Sequence, residues 1–350
     1  MGKQDIGDLE SVRRAVEEWM RSALPDRPGL NVGPLDFPEA SGESSVTLIF
    51  ETTRDDAPPE KFVLRMVPPQ SQVFESHDLL MQYRMMEVMH AEGVPAPPLV
   101  GYEADPSLVG SDFYVMGFTD GRIPPDNPPM AFGSWVTDDL SAEDRATMWS
   151  NGLETLAKIH SIDLAAHDFS RLPRAEPGEP LVAHELRKFD SMYTDALRND
   201  GPPEILDAWT YLVSTPPADG VQRLCWGDSR VGNVIWRDLR PVAVIDWEMA
   251  NLGDPRSDLA WWIWIDKCNS EGLGCERPTG WPVPEEAYAR WSELTGLPTG
   301  DMVWWELLTV ARFAIVLELK FQAMKADNPD FGGIPNFAAS FLADLLDAAR

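Results

Sequence analysis

The apolar positions near the start of the chain recur with the period of a helix. Val12, Val16, Trp19 and Met20 are spaced one to four residues apart within residues 9–22. This spacing puts them on one helical face, because 3.6 residues make one turn. We therefore expect a leading helix that packs its apolar face on the elements that follow.

Three short apolar runs come next, and their lengths are typical of strands. They occupy residues 46–50, 62–67 and 113–118. Between the second and third runs, residues 76–92 predict a helix, which Gly93 and Pro95 end. The first third of the chain therefore predicts the order strand, strand, helix, strand.

The remainder predicts mainly helices around one short hairpin. Helices are expected over residues 142–160 and over the strongly apolar residues 302–324. Between them, residues 234–236 and 242–245 predict two short strands, since each is an apolar run and a polar segment joins them. This hairpin is the only predicted β element of the second half.

Three oxygen-bearing side chains flank the predicted hairpin. Asp228 precedes it, Asn233 lies five residues later, and Asp246 follows the second strand. If the hairpin centres between Leu239 and Arg240, Asn233 is directly opposite Asp246, with Cβ atoms roughly 4.5–5.5 Å apart. Two oxygen ligands at that separation suit Mg²⁺, and Asp228 can accept a proton from a hydroxyl. Each residue alone is ordinary in a turn, but together they have the layout of a kinase catalytic loop and its metal ligands.

The motifs around these residues resemble those of a known family. Residues 226–233 read Trp-Gly-Asp-Ser-Arg-Val-Gly-Asn, and residues 245–248 read Ile-Asp-Trp-Glu. The aminoglycoside phosphotransferase and choline kinase-like family usually has His-Gly-Asp-x-x-x-x-Asn, then Ile-Asp-Trp-Glu, then Gly-Asp-Pro and Asp-Leu-Ala, as at residues 253–260. The chain is especially similar to the kinase-like domains found alone or fused to acyl-CoA dehydrogenases, which carry Gly-Asp-x-Arg-x-Gly-Asn. Trp226 stands where most members have His.

The resemblance implies a two-lobed protein-kinase-like fold of the α+β class for nearly the whole chain. Residues 1–118 would form a small, β-rich, nucleotide-binding lobe that includes the leading helix. Residues 119–350 would form a larger, mainly helical lobe that carries catalysis and the acceptor site. In this scheme Asp228 is the catalytic base, and Asn233 and Asp246 are the Mg²⁺ ligands.

The resemblance also implies where ATP or GTP binds. The loop before the first strand, with Gly42, Ser44 and Ser45, would cover the nucleotide, since glycine allows close backbone approach and the hydroxyls can donate to phosphate. The backbone around Met116 and Phe118 would be the hinge that binds the base. These five residues form the predicted nucleotide site together with one cation.

That cation is Arg65, which stands where many kinases have Lys and can bind phosphate through two N–H groups. Lys61 is the rival, but it lies at the start of the predicted strand. The usual glutamate partner of the cation is replaced by Gln82, and Glu75 or Asp78, about one turn earlier, are the candidate substitutes. This replacement leaves open a protein that binds nucleotide without turning it over.

Other polar and aromatic residues near the motifs are expected to be structural. Asp258 should anchor backbone, and His160, at the end of a predicted helix, should support the catalytic loop from beneath. Trp261, Trp262 and Trp264 are expected to fill a core between helices. The alternative for the tryptophans is an aromatic wall of the acceptor pocket.

Composition excludes several classes of function. The 350 residues carry a net charge of −28, which argues against nucleic-acid binding and against binding to anionic membranes. The three cysteines are too few and too irregularly spaced for a disulfide framework or a zinc site. With no signal-peptide pattern and no apolar run of bilayer length, we expect a cytoplasmic protein.

We therefore expect an enzyme that moves the γ-phosphoryl group of ATP or GTP to a hydroxyl of a small molecule. The acceptor would be aminoglycoside-like, an amino alcohol or a sugar. The alternatives are a hydroxyacyl thioester or hydroxy acid as acceptor, and a nucleotide-binding module without catalysis. The sequence leaves the acceptor, the choice of donor and the oligomeric state open.

Overall fold

The computed structural model of the chain describes residues 8–38, 45–55, 57–67, 78–328 and 334–350. By internal packing the chain forms two compact units. Residues 1–121 and 242–248 make up the N-terminal unit, and residues 122–241 and 249–350 make up the C-terminal unit. Gly42, Ser44 and Glu75, which the sequence analysis singles out, lie outside the described residues.

The N-terminal unit is built on an antiparallel sheet of five strands in the order β1-β2-β3-β5-β4. Its elements are α1 (Leu9–Ala23), β1 (Asn31–Val32), β2 (Val46–Arg54), β3 (Ala57–Met66), α2 (Leu79–Ala91), β4 (Leu99–Glu103) and β5 (Phe113–Gly117). As predicted, α1 buries Val12, Val16 and Met20 in the apolar core of this unit, together with alternate residues of the strands.

The C-terminal unit is mainly helical. Its helices are α3 (Trp135–Asp138), α4 (Ala142–His160), α5 (Ala183–Met192), α6 (Asp195–Asp200), α7 (Pro203–Ser214), α8 (Pro255–Cys268), α9 (Pro284–Thr295), α10 (Val303–Asp327) and α11 (Leu342–Ala349). The strands of the second half are β6 (Arg223–Cys225), β7 (Val234–Arg237), β8 (Arg240–Val244) and β9 (Asn251–Gly253). Strands β6 and β9 pair antiparallel.

Helix α8 is the central helix of the C-terminal unit. Each of its residues except Lys267 is buried. Asp254 caps its N-terminus by accepting a hydrogen bond from the Arg256 N–H, and Pro255 starts the helix. A helix that is covered on all sides holds its side chains in place, which suits an element that supports a site.

Two predictions about strands were incomplete. The strands β1, β4, β6 and β9 were not predicted, since β1 has only two residues, β6 and β9 have three each, and β4 contains Gly101 after a proline-rich segment. In the hairpin, Asp238 and Leu239 form a two-residue turn with φ values of 50° and 62°. The centre of this turn lies one residue earlier than predicted. Counting along both strands from this centre does not bring Asn233 opposite Asp246, so the predicted register was wrong.

None of the helices within the described ranges has both the length and the apolar character that crossing a bilayer requires.

A buried carboxylate in α8 makes the stability of the protein depend on pH. Asp266 is 4% exposed, and burial raises the pKa of its carboxyl group to about 7, against the lowering effects of Arg277 and the Trp149 indole. The ordinary pKa is 3.8. The folded state therefore holds this proton more tightly than the unfolded chain, and the resulting stabilisation is fully present below pH 4 and is lost as pH rises through 7.

Asp266→Asn should remove this pH dependence, because an amide stays neutral. Relative to the wild type, the variant's free energy of unfolding should rise by about 2–3 kcal/mol between pH 5 and pH 8. Urea denaturation at both pH values measures this difference, with Asp207→Asn on the exposed side of α7 as the control. Parallel pH profiles for wild type and Asp266→Asn would show that the buried group is not the cause.

Candidate active site

A tight turn after β6 presents the predicted base. Gly227 has φ +90°, and a Cβ atom at this position would lie 2.1 Å from the Met249 carbonyl oxygen. Only glycine fits this conformation and this approach. The turn places Asp228 directly after the strand, with its side chain 18% exposed.

A single buried carboxylate fixes the backbone of this turn. Asp258, in the first turn of α8, accepts hydrogen bonds from the Trp226 N–H at 2.6 Å and from the Gly227 N–H at 2.8 Å. The Ser229 hydroxyl donates to the Asp258 carbonyl oxygen at 2.7 Å. Asp258 thus anchors backbone, as expected from the sequence, and holds the loop on both sides of Gly227.

His160 supports the same carboxylate from the buried side of the loop. Its Nε2 lies 3.1 Å from Asp258 Oδ2, and its Nδ1 accepts from the Trp291 indole N–H at 3.0 Å. An indole N–H can only donate, so Nδ1 is unprotonated and Nε2 carries the proton that goes to Asp258. The ring is fully buried, which agrees with the expected structural role.

The Asp228 carboxylate is surrounded by donors. Its Oδ1 accepts from the Trp261 indole N–H at 2.8 Å. Its Oδ2 accepts from Arg230 Nε at 3.1 Å and from the Asn233 amide nitrogen at 2.6 Å. Donors to both oxygens fix the orientation of the carboxylate, and a general base must be held in a defined orientation.

Asn233 is buried and uses its amide nitrogen for the contact with Asp228 and with the Asp228 carbonyl oxygen at 3.0 Å. The amide oxygen is therefore not committed to this contact. An amide oxygen is a suitable ligand for Mg²⁺. The amide oxygen of Asn233 thus fits the predicted role as a Mg²⁺ ligand.

Arg230 joins the base to a second carboxylate. Its Nη1 lies 2.6 Å from Asp126 Oδ1, while its Nε contacts Asp228. A Cβ atom on Gly232 would lie 2.5 Å from Arg230 Nη1 and 3.1 Å from Asp126 Oδ1, so the ion pair occupies the space above this glycine. Burial would lower the pKa of Arg230, but Asp228 and Asp126 raise it above its usual value, and the guanidinium stays charged.

In the N-terminal unit, Arg65 lies in a row of polar side chains that crosses three strands. Thr47, Arg65 and Tyr114 are direct register partners on β2, β3 and β5. Arg65 donates to the Thr47 hydroxyl at 2.9 Å. Burial would lower the pKa of Arg65, but Tyr114 and then Asp246 and Glu248 raise it, so the cation stays charged.

Gln82, the predicted replacement of the cation's glutamate partner, is buried beside Tyr114. It is 2% exposed, and its amide oxygen lies 3.5 Å from the Tyr114 hydroxyl, a long contact. Asp78 is the N-cap of α2 and accepts from the Met81 N–H at 2.8 Å. Lys61, the rival cation, pairs with Glu51 on the surface.

Asp246 has a backbone conformation that is uncommon for residues other than glycine. Its φ is 63°, in the left-handed region. Such conformations cost of order 1–3 kcal/mol and persist where the surrounding structure imposes them, often at functional sites. Among the described residues, no group of three or more His, Cys, Asp or Glu side chains could hold a metal ion alone. A cation at Asp246 would therefore need other oxygens, such as amide or phosphate oxygens, to complete its coordination.

The rest of the predicted nucleotide site is partly described. Ser45 is 2% exposed, and its hydroxyl has no hydrogen-bond partner among the residues that the structure describes. At the predicted hinge, the Phe118 N–H donates to the Lys61 carbonyl and the Gly117 N–H to the Pro98 carbonyl. A base bound at Met116 and Phe118 would therefore have to use other backbone groups than these two N–H donors.

Sequence reasoning missed three residues that contact the site residues. Trp261 was expected in the core, with a wall of the acceptor pocket as the alternative, and its contact with Asp228 was not foreseen. Tyr114 was treated only as part of a strand, and Asp126 lies in a segment without a predicted element. The sequence gives a weak signal for Tyr114 alone, because a polar ring in an apolar strand needs a partner. Contacts such as Trp261 with Asp228 join positions 33 residues apart and leave no local pattern.

Solved structures share this fold. A protein from Ralstonia eutropha assigned as an aminoglycoside phosphotransferase aligns with a TM-score of 0.70 and 20% identity over 95% of both chains. A thermostable mutant of aminoglycoside phosphotransferase APH(4)-Ia, in a ternary complex with AMP-PNP and hygromycin B, has a TM-score of 0.56 and 15% identity over 96% of this chain and 99% of that one. The predicted protein-kinase-like fold, with a β-rich first unit and a mainly helical second unit, is confirmed.

Sequence comparison gives the family. Acyl-CoA dehydrogenase family member 11 of Pongo abelii is 26% identical over 263 residues, which cover 73% of this chain and 32% of that protein. The chain therefore spans about a third of the length of this relative. The model of the phosphotransferase enzyme family matches residues 38–291. The chain belongs to the phosphotransferase enzyme family.

Proposed function

We propose that the protein transfers the γ-phosphoryl group of ATP or GTP to a hydroxyl group of a small molecule, with Asp228 as the general base. The observation that carries this proposal is the environment of Asp228, whose two oxygens accept from Trp261, Arg230 and Asn233 at the end of a fixed turn. The complex of APH(4)-Ia with AMP-PNP and hygromycin B supports a nucleoside triphosphate donor and a hydroxyl-bearing acceptor.

In this mechanism Asp228 accepts the proton of the acceptor hydroxyl while the hydroxyl oxygen bonds to the γ-phosphorus. The bond between the γ-phosphorus and the β,γ-bridging oxygen breaks, and ADP or GDP leaves. Arg65 would bind phosphate oxygens, and the buried Ser45 hydroxyl would donate to the same group. Asn233 and Asp246 would hold Mg²⁺, which when bound neutralises phosphate charge. Phosphoryl transfer depends mainly on positioning and electrostatics, so each of these residues acts by placing charge.

The charges beside the base do not by themselves select an acceptor class. Arg230 lies between Asp228 and Asp126, so one cation is already bonded to two carboxylates. The candidate acceptors are an aminoglycoside-like compound, an amino alcohol or a sugar, with a hydroxy acid or a hydroxyacyl thioester as the alternative. An assay that offers both classes decides between them.

Asp228→Ala should abolish transfer and leave nucleotide binding nearly unchanged. The variant loses the proton acceptor, and general base catalysis typically raises the rate of transfer roughly 10²–10⁴-fold. The measurement is phosphate transfer from labelled ATP and GTP to a panel of hydroxy acids and aminoglycosides, with Asp207→Ala on α7 as the control. Transfer by Asp228→Ala at the wild-type rate would refute its role as the base.

Asp246→Ala should lose the part of nucleotide affinity that depends on Mg²⁺. Calorimetric titration with ATP and with GTP, each with and without Mg²⁺, measures this part and also identifies the donor. Glu87→Ala is a matched control, since Glu87 forms an exposed ion pair with Arg84 in the same unit. Unchanged Mg²⁺-dependent affinity in Asp246→Ala would reject the ligand role, and no nucleotide binding by the wild type would reject the proposed function.

A further inference from the structure

We infer that Trp261 is a positioning residue of this phosphotransferase, which orients Asp228 through its indole N–H, and that the buried Arg312–Glu185 ion pair holds Trp261 in place. The role of Trp261 in turnover rests on the proposed function of Asp228. The contacts of Trp261 do not depend on that function, because they lie within the C-terminal unit and involve no substrate.

The first contact is the hydrogen bond from the Trp261 indole to Asp228 Oδ1 at 2.8 Å. Trp261 is 4% exposed and lies on the central helix α8, so its position is set by the core. An indole nitrogen can only donate a hydrogen bond. This bond therefore favours the rotamer of Asp228 that directs Oδ1 at the indole. With Oδ1 fixed, Oδ2 keeps its direction toward Arg230 and Asn233.

The second contact fixes the indole ring. The Arg312 guanidinium lies over the face of Trp261, with its central carbon 4.6 Å from the ring centroid. Phe313 meets the same ring edge-on at 6.3 Å. A guanidinium stacked on an indole face is attracted to the ring and restricts its tilt.

The third contact fixes Arg312. It is 2% exposed on α10 and forms an ion pair with Glu185 of α5, which also accepts from the Ser257 hydroxyl of α8 at 3.0 Å. Taking two charges out of water is costly, and apolar residues of similar volume often stabilise a core as well or better. The stability of the core therefore does not explain why an ion pair is present at this position. A role in holding the Trp261 ring in one orientation does explain it.

The neighbouring residue provides a matched control. Trp262 is also on α8 and is fully buried, but its indole N–H has no hydrogen-bond partner in the described part of the chain. Its ring packs against Trp149 with centroids 5.9 Å apart. Replacing either tryptophan by Phe removes an indole from the same helix, yet only one replacement removes a contact with Asp228.

Trp261→Phe should lower kcat by about tenfold and change KM for the nucleotide by less than twofold, since the base is misplaced while the nucleotide residues are untouched. Trp262→Phe should keep kcat within about twofold, even if both variants lose thermal stability. Steady-state kinetics of the full chain, with the melting temperatures of both variants, measure this. Unchanged kcat in Trp261→Phe, or an equal loss in Trp262→Phe, would overturn the inference.

Arg312→Lys tests the second step, because lysine keeps the charge near Glu185 and loses the planar stacking group. It should lower kcat severalfold, and the double variant with Trp261→Phe should be no slower than Trp261→Phe alone, since Arg312 acts through Trp261. A kcat of the double variant that equals the product of the two separate fold-losses would overturn this step. If Arg312→Lys does not fold, Glu185→Gln takes its place with the same expectation.

A measurement without turnover separates this inference from the proposed function. In the ¹⁵N-labelled protein, Asp228→Ala should shift the indole N–H resonance of Trp261, identified by its loss in Trp261→Phe, and speed its hydrogen exchange. The resonance of Trp262 should not change. An unaffected Trp261 resonance would refute the contact itself, whereas the shift without any transfer by the wild type would leave the contact standing and refute the proposed function.

Discussion

One buried carboxylate holds the candidate active site of the C-terminal unit in its shape. Asp258 accepts from two successive backbone N–H groups at the Gly227 turn and is itself fixed by His160. Buried backbone groups without a partner would be costly, so this turn is stable only with such an acceptor beside it. Because Asp258 and Trp261 lie one turn apart on α8, the helix that fixes the loop also carries the donor to Asp228.

Two arginines, one in each unit, are set among acidic side chains. Arg230 lies between Asp228 and Asp126. Tyr114, and then Asp246 and Glu248, raise the pKa of Arg65 against the effect of its burial. In a chain with a net charge of −28, each of these cations thus has its acidic neighbours within its own unit.

The sequence predicts elements with strong periodicity well and contacts between distant residues poorly. The helix over residues 142–160 is found with both ends as predicted, because Ser141 caps it and the apolar face is regular. The hairpin centre was misplaced by one residue, since the left-handed pair Asp238 and Leu239 has no glycine or asparagine to mark it. Trp261 looked like a core residue and is one, and only the fold shows that its N–H also reaches Asp228.

One departure from the family motif is explained by what the fold requires at its position. At Trp226 the contact with Asp258 uses the backbone N–H, which any residue except proline supplies, while the indole is buried in the core. A motif records side chains, whereas the constraint at this position is on a main-chain donor. The exchange of His for Trp therefore leaves the anchoring of the turn by Asp258 intact.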